Sequence, residues 1–180
     1  MHRSLIRHHS APCDAISRIE VDAERSSGGE LSLRFVAHGS ISGLLVPAKA
    51  KAERTDLLWH HTCFEAFIKP RPGPAYVELN ASPSTRWALY SFDSFREGMA
   101  EAPSSLQISP IAVKIGADEI ELTTRIVGLP RDADWRVALS AIIEERNGRK
   151  SFWALKHPPE KPDFHHDDCF DLELAGSPRV

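Results

Sequence analysis

Residues 58–68, LWHHTCFEAFI, put an indole (Trp59), two imidazoles (His60, His61), a thiol (Cys63) and a carboxylate (Glu65) within one short stretch. A thiolate activated by a neighbouring imidazole is a common nucleophile. Cys63, however, opens an apolar run, where cysteine is usually buried and inert, so a core cysteine is expected. A second group of donors, His157, Asp163, His165, His166, Asp167 and Asp168, lies in HPPEKPDFHHDD (157–168). If the pairs His60-His61 and His165-His166 met in space, they and the aspartates would hold enough nitrogen and oxygen for zinc or calcium. No H-E-x-x-H or helical i, i+4 histidine spacing supports this. Contact with loop backbone or solvent is the default for these rings, and His60, His61, Asp163 and Asp167 stand as the metal candidates.

The aromatic residues suggest a different chemistry. Two indoles at one end of a β fold would form a slot for a flat apolar ligand face such as a pyranose. Glu65, Asn80, Arg86 or Arg96 would then bind the ligand's edge. Tryptophan more often packs in a core or at its rim. Among the four present, only Trp59 and Trp153 are flanked by polar and prolyl loops. Glu65 sits among Phe64, Ala66, Phe67 and Ile68, so its carboxylate must face a polar side or find a donor. Arg86 is the expected partner. The sequence has no Gly-rich phosphate loop and no G-x-S-x-G.

The chain has 180 residues, 42% hydrophobic and 26% charged, enough for one ordinary domain with its own core. A net charge of -3 offers no basic face to a phosphate backbone, so nucleic acid is not an expected partner. Three cysteines without C-x-x-C spacing argue against a disulfide framework and a thiolate zinc site. The N-terminus has no secretory apolar run and no stretch is long enough to span a membrane. A cytoplasmic protein without membrane contact is expected.

The elements that would position these side chains are strands. RIEVDAE (18–24) and ELSLRFVAH (30–38) alternate apolar and polar residues around SSGG (26–29), as a hairpin does. CFEAFIK (63–69), AYVELNAS (75–82) and RWALYSFD (86–93) follow, then LQISPIAVKI (106–115), demoted to an edge or bulge by Pro110. EIELTTRIV (119–127) comes next. WRVALSAIIEER (135–146) and RKSFWALK (149–156) flank Asn147-Gly148, a type I′ signal that would set Glu145 opposite Lys150 and Ile143 opposite Phe152. CFDLEL (169–174) closes the chain. Residues 1–15 are expected to be a loose arm and 16–176 one all-β domain. Its predicted architecture is an antiparallel β-sandwich of jelly-roll or immunoglobulin-like type, with nine or ten strands and minor short helical turns. Phe35, Phe64, Ala66, Val77, Leu79, Leu89, Leu122, Ile126, Val137 and Leu139 should form its core.

LWHHTCFEAFI (58–68), YVELNASPSTRWALYSFDSFREGM (76–99), IIEE-NG-SFWALKHP (142–158) and KPDFHHDDCFDLEL (161–174) together resemble the DOMON-like family, in its bacterial single-domain branch related to family 9 carbohydrate-binding modules. The similarity spans most of residues 16–174. It implies a β-sandwich that binds a sugar or, in other branches, a haem. In the carbohydrate modules two tryptophans sandwich the sugar with help from a Glu and an Arg; Trp59, Glu65 and Arg86 occupy comparable places. Trp153 is the second indole available, although the His- and Pro-rich loop after it departs from the sugar modules. Haem is disfavoured, because Met99 is the only internal methionine and no C-x-x-C-H occurs.

The expectation is a binding domain rather than an enzyme. Its expected ligand is a small molecule, a saccharide or glycoconjugate, held by Trp59, Glu65, Arg86, Trp153, His157, His165 and His166. No cofactor is expected. The alternatives are a zinc or calcium protein or hydrolase-like enzyme using the His/Asp loops, a haem-binding domain, and a plain interaction module without a pocket.

Overall fold

Alternating apolar residues become thirteen strands and three single-turn 3-10 helices in a computed structural model that describes residues 1–177. β1 (His2–Arg7), β2 (Ile16–Arg25) and β3 (Leu31–Gly39) are followed, after a long link, by β4 (Cys63–Pro70), β5 (Tyr76–Ala81) and β6 (Trp87–Phe92). The short β7 (Ala100–Glu101), β8 (Gln107–Ile108) and β9 (Ala112–Ile115) lead to β10 (Glu119–Val127). β11 (Trp135–Glu144), β12 (Lys150–Ala154) and β13 (Leu172–Leu174) complete the set. The fold is all-β and antiparallel, as expected. No helix among the described residues is long and apolar enough to cross a membrane.

The strands join edge to edge in the order β7-β6-β5-β4-β11-β12-β1-β2-β3-β10-β8, with β13 added to β11 and β9 to β10. This one sheet curls so that its two arms face each other. Ile19 and Val21 of β2, Phe35 of β3 and Leu122 of β10 meet Phe64 and Ala66 of β4 and Leu139 of β11 in one buried cluster. The Phe35 and Phe64 rings lie 5.3 Å apart across it. Every expected core residue belongs to this cluster, Val77 at its margin. The 26–29 turn depends on Gly29, whose φ of +83° is open to glycine and whose added Cβ would lie 2.7 Å from the Leu129 carbonyl.

Two expectations are corrected. The arm at residues 1–15 contains β1, which joins the halves of the sheet: His2–Leu5 pair with β2, and Ile6 and Arg7 pair with β12. Only Leu5 of this strand is buried, so no alternation marked it. At Asn147-Gly148 the register is one residue off the expected one. Lys150 stands opposite Glu144 and Ser151 opposite Ile143, and the Glu145 N–H donates to the Arg149 carbonyl. Gly148 takes φ +83° and closes a three-residue loop in place of a type I′ turn. A slip of one residue exchanges the faces of a strand: Phe152 goes to the outer face and Trp153 to the core.

Candidate binding site

The outer face of the arm formed by β4, β5, β6, β11 and β12 carries a second buried cluster, including Phe67, Tyr76, Tyr90, Phe92, Ile142 and Phe164, with Trp59 and Phe152 packed against it. Period two explains it. In β5, Val77, Leu79 and Ala81 face the core, which leaves Tyr76, Glu78 and Asn80 on this side, and β4 likewise presents Cys63, Glu65 and Phe67. Two loops cover this face, residues 93–99 after β6 and residues 155–171 after β12.

Between loops and sheet lies a cavity of about 300 Å³ lined by Trp59, Glu65, Phe67, Glu78, Phe92, Arg96, Met99, Ile142, Phe152, Pro162, Asp163, Phe164 and His165. A larger open groove of about 750 Å³ runs over the outer face of β2, β3 and β10. No aromatic ring lines it, and its Asp22 and Arg34 pair with each other, so the smaller cavity is the better candidate.

Trp59 is carried by the 3-10 turn Leu58–His60, which is entered through Leu57 in the left-handed conformation. Its ring meets the Tyr90 ring edge-on at 5.8 Å. Tyr90 is fixed in turn: its hydroxyl donates to Asp56, and Arg54 lies over its ring while pairing with Asp56 at 2.9 Å. Burial, and then the Asp56 carboxylate, push the Tyr90 hydroxyl pKa up.

The polar floor is formed by two carboxyls. Glu65, 3% exposed, accepts from the Ser140 hydroxyl at 3.1 Å. Glu78, 5% exposed, accepts from Asn80 Nδ2 at 2.7 Å. Burial and then the Glu78 charge push Glu65 well above the usual carboxylate range. Burial likewise raises Glu78 to about 7.

His165 forms one wall. The Arg96 N–H donates to the Tyr76 hydroxyl at 3.2 Å, and that hydroxyl lies 2.7 Å from His165 Nδ1. The phenol and the imidazole therefore share one hydrogen bond, whose direction follows the imidazole tautomer. Burial, and then the Arg96 charge, lower the His165 pKa to about 4. Nε2 lies 3.8 Å from the Glu78 carboxyl. At the rim Arg96 pairs with Asp163 at 2.7 Å, and Asp163 also accepts from the His165 N–H.

Of the residues expected in the site, Trp59, Glu65 and His165 come together here. Trp153 does not: it is 4% exposed in the core between the arms, its indole N–H on the Ser151 hydroxyl, as the hairpin register requires. Arg86 lies ahead of β6 and pairs with Glu53 at 3.4 Å, so Ser140 replaces it as the partner of Glu65. His157 bonds the Ile6 carbonyl and packs against His8. His166 accepts from the Asp168 N–H at the start of the last 3-10 turn. Neither lines the cavity.

The metal candidates are dispersed. His60 is exposed and edge-on to Trp59, and His61 bonds Glu144 at 2.7 Å. Asp163 is paired with Arg96, and Asp167 with Lys69 and Arg136; these two cations and their hydrogen bonds draw the Asp167 pKa down to about 2. Among the described residues no three His, Cys, Asp or Glu side chains gather as a metal-holding group. Cys63 is fully buried, and burial together with Glu65 and Glu78 pushes its thiol pKa well up, which removes the thiolate a nucleophile needs.

Sequence reasoning missed Glu78, Tyr76, Phe67, Phe92, Phe152 and Phe164 as site residues. The alternation of β5 carried a signal for Glu78, since it set Tyr76, Glu78 and Asn80 on one face opposite Val77 and Leu79.

No family model and no curated protein matches this sequence. The fold does match solved structures. A candidate carbohydrate-binding protein from Bacteroides uniformis superposes with a TM-score of 0.64 at 13% identity, over 94% of this chain and 83% of that one. A family 9 carbohydrate-binding module from Caldicellulosiruptor kristjanssonii, in complex with glucose, superposes with a TM-score of 0.52 at 9% identity, over 95% of this chain and 81% of that one. The chain shares its fold with these proteins.

Proposed function

We propose that this protein is a binding domain for a small saccharide and that the cavity beside Trp59 is where the sugar sits. The observation that carries the proposal is one wall of half-buried indole over a floor of two buried carboxyls. A sugar ring has an apolar face and a hydroxylated edge, and such a cavity serves both, the ring by stacking and the hydroxyls by hydrogen bonds. A volume of about 300 Å³ is at the small end for ligand sites and suits one or two sugar rings. Fold likeness to a candidate carbohydrate-binding protein and to a module complexed with glucose supports the same ligand class, as an analogy. The DOMON-like assignment, with the facing arms as the layers of a sandwich, goes with this proposal.

In this site Trp59 supplies the stacking face, Glu65 and Glu78 bind hydroxyls, and the Arg96–Asp163 pair and His165 form the rim. Titration calorimetry with glucose and cellobiose tests it. The expected result is saturable binding in the millimolar range or tighter, lost in Trp59→Ala while the melting temperature stays near that of the parent. Absence of binding to both sugars and to a broader glycan panel would overturn it.

A further inference from the structure

Glu65 and Glu78 both line the cavity, yet among the described residues neither forms an ion pair with a lysine or arginine; Arg96 lines the same cavity and acts on Glu78 only through its charge at longer range. Each has one neutral donor, Ser140 or Asn80. The cations nearby are engaged elsewhere, Arg96 with Asp163 and Lys69 with Asp167, each at 2.7 Å. His165 is neutral near pH 7, since burial first and then the Arg96 charge hold its pKa near 4. A buried carboxylate without a counter-charge is costly. Sugar hydroxyls would satisfy its lone pairs but would not offset its charge.

Within the saccharide proposal above, we infer that the sugar this cavity takes carries a protonated amine, that is, an amino sugar whose ammonium group lies between Glu65 and Glu78. One positive charge on the ligand answers two carboxyls that have no lysine or arginine paired with them. The rings of Trp59, Phe67 and Phe92 line the same space and add attraction for a cation that approaches a ring face. A sugar ring without the amine would leave the carboxyls as they are.

Ligation then becomes linked to protons. Burial pushes Glu65 well above the ordinary carboxylate range, and Glu78, at about 7, is partly protonated near neutrality. An ammonium favours both ionised forms, so binding releases protons and strengthens as pH rises toward neutrality. The other groups facing this pair do not switch in that window: Tyr76 and Cys63 are pushed upward, and His165 is held near 4. Asp163 is drawn below the usual range by Arg96.

Calorimetric titration of the whole protein with glucosamine, N-acetylglucosamine, glucose and ethanolamine decides the matter, run in two buffers of different ionisation heat. Glucosamine is expected to bind at least about tenfold tighter than glucose or N-acetylglucosamine with proton release, and to weaken below neutrality by up to about tenfold per pH unit for each proton released. Glu78→Gln should abolish the preference; Glu65→Gln is a second variant should the first not fold. Glucosamine binding no tighter than glucose overturns the amine inference and leaves the saccharide proposal standing. Failure of all three sugars overturns both. Ethanolamine binding as tightly as glucosamine keeps the charge and overturns the sugar.

Discussion

Glu65 stands opposite Asn80 and Glu78 opposite Phe67 across β4 and β5, so the two carboxyls are diagonal neighbours on one sheet face. Their coexistence has a cost that depends on pH. Glu78 titrates near 4.5 when solvated and about 7 when folded, so the folded chain holds this proton more tightly. The associated stability is full below the solvated value and lost as pH rises through 7, in total about 3 kcal/mol. Histidines with lowered pKa values, such as buried His8 and half-buried His157, act oppositely in the acid range, so the comparison must be with a variant. Glu78→Gln should gain stability over the parent in urea denaturation at alkaline pH, and the gain should vanish in acid. An unchanged difference across that range would contradict the burial-driven shift.

Trp59 and Trp153 should respond differently to truncation. Trp153 fills the core between the arms, and Trp153→Ala should cost about 3–5 kcal/mol, read as a lower denaturation midpoint. Trp59 is half-buried at the cavity, so Trp59→Ala should cost less stability and abolish sugar binding.

The loop that sets the β11–β12 register depends on the positive φ of Gly148, beside which an added Cβ would meet nothing within 4 Å. Gly148→Ala should therefore destabilise by about 1 kcal/mol through backbone strain alone, and Gly148→Asn by less. Chemical denaturation would show both.

Removing β1 would leave two sheet edges unpaired, on β2 and on β12. Deletion of residues 1–8 should lower stability by at least the ~1.5–3 kcal/mol of burying Leu5 and promote association through the bared edges. Thermal melting and light scattering would report the two effects separately.

Much of the fold was legible from alternation. Ile19, Val21 and Ala23 in β2, and Leu31, Leu33, Phe35 and Ala37 in β3, face the core as their spacing requires. β1 was illegible because only one of its residues is buried. The site was partly legible: Trp59 and Glu65 sit six residues apart on a turn and the strand it enters, so local sequence fixes their relation. Arg86 and Trp153 depended on long-range geometry. For Trp153 the loop at Asn147-Gly148 has three residues where a two-residue turn was expected, and this one-residue difference moves the ring across the sheet. Glu78 was overlooked because an isolated carboxylate in a strand reads as solvent-facing, and the 93–99 and 155–171 loops that cover it are distant in sequence.

The most direct measurement follows the indole N–H signals of Trp59 and Trp153 by NMR while the protein is titrated with glucose and then glucosamine. Saturable movement of the Trp59 signal, with the Trp153 signal still and glucosamine saturating first, is the predicted result. A Trp59 signal that stays in place while either sugar binds, or that never saturates, would contradict the placement of the site.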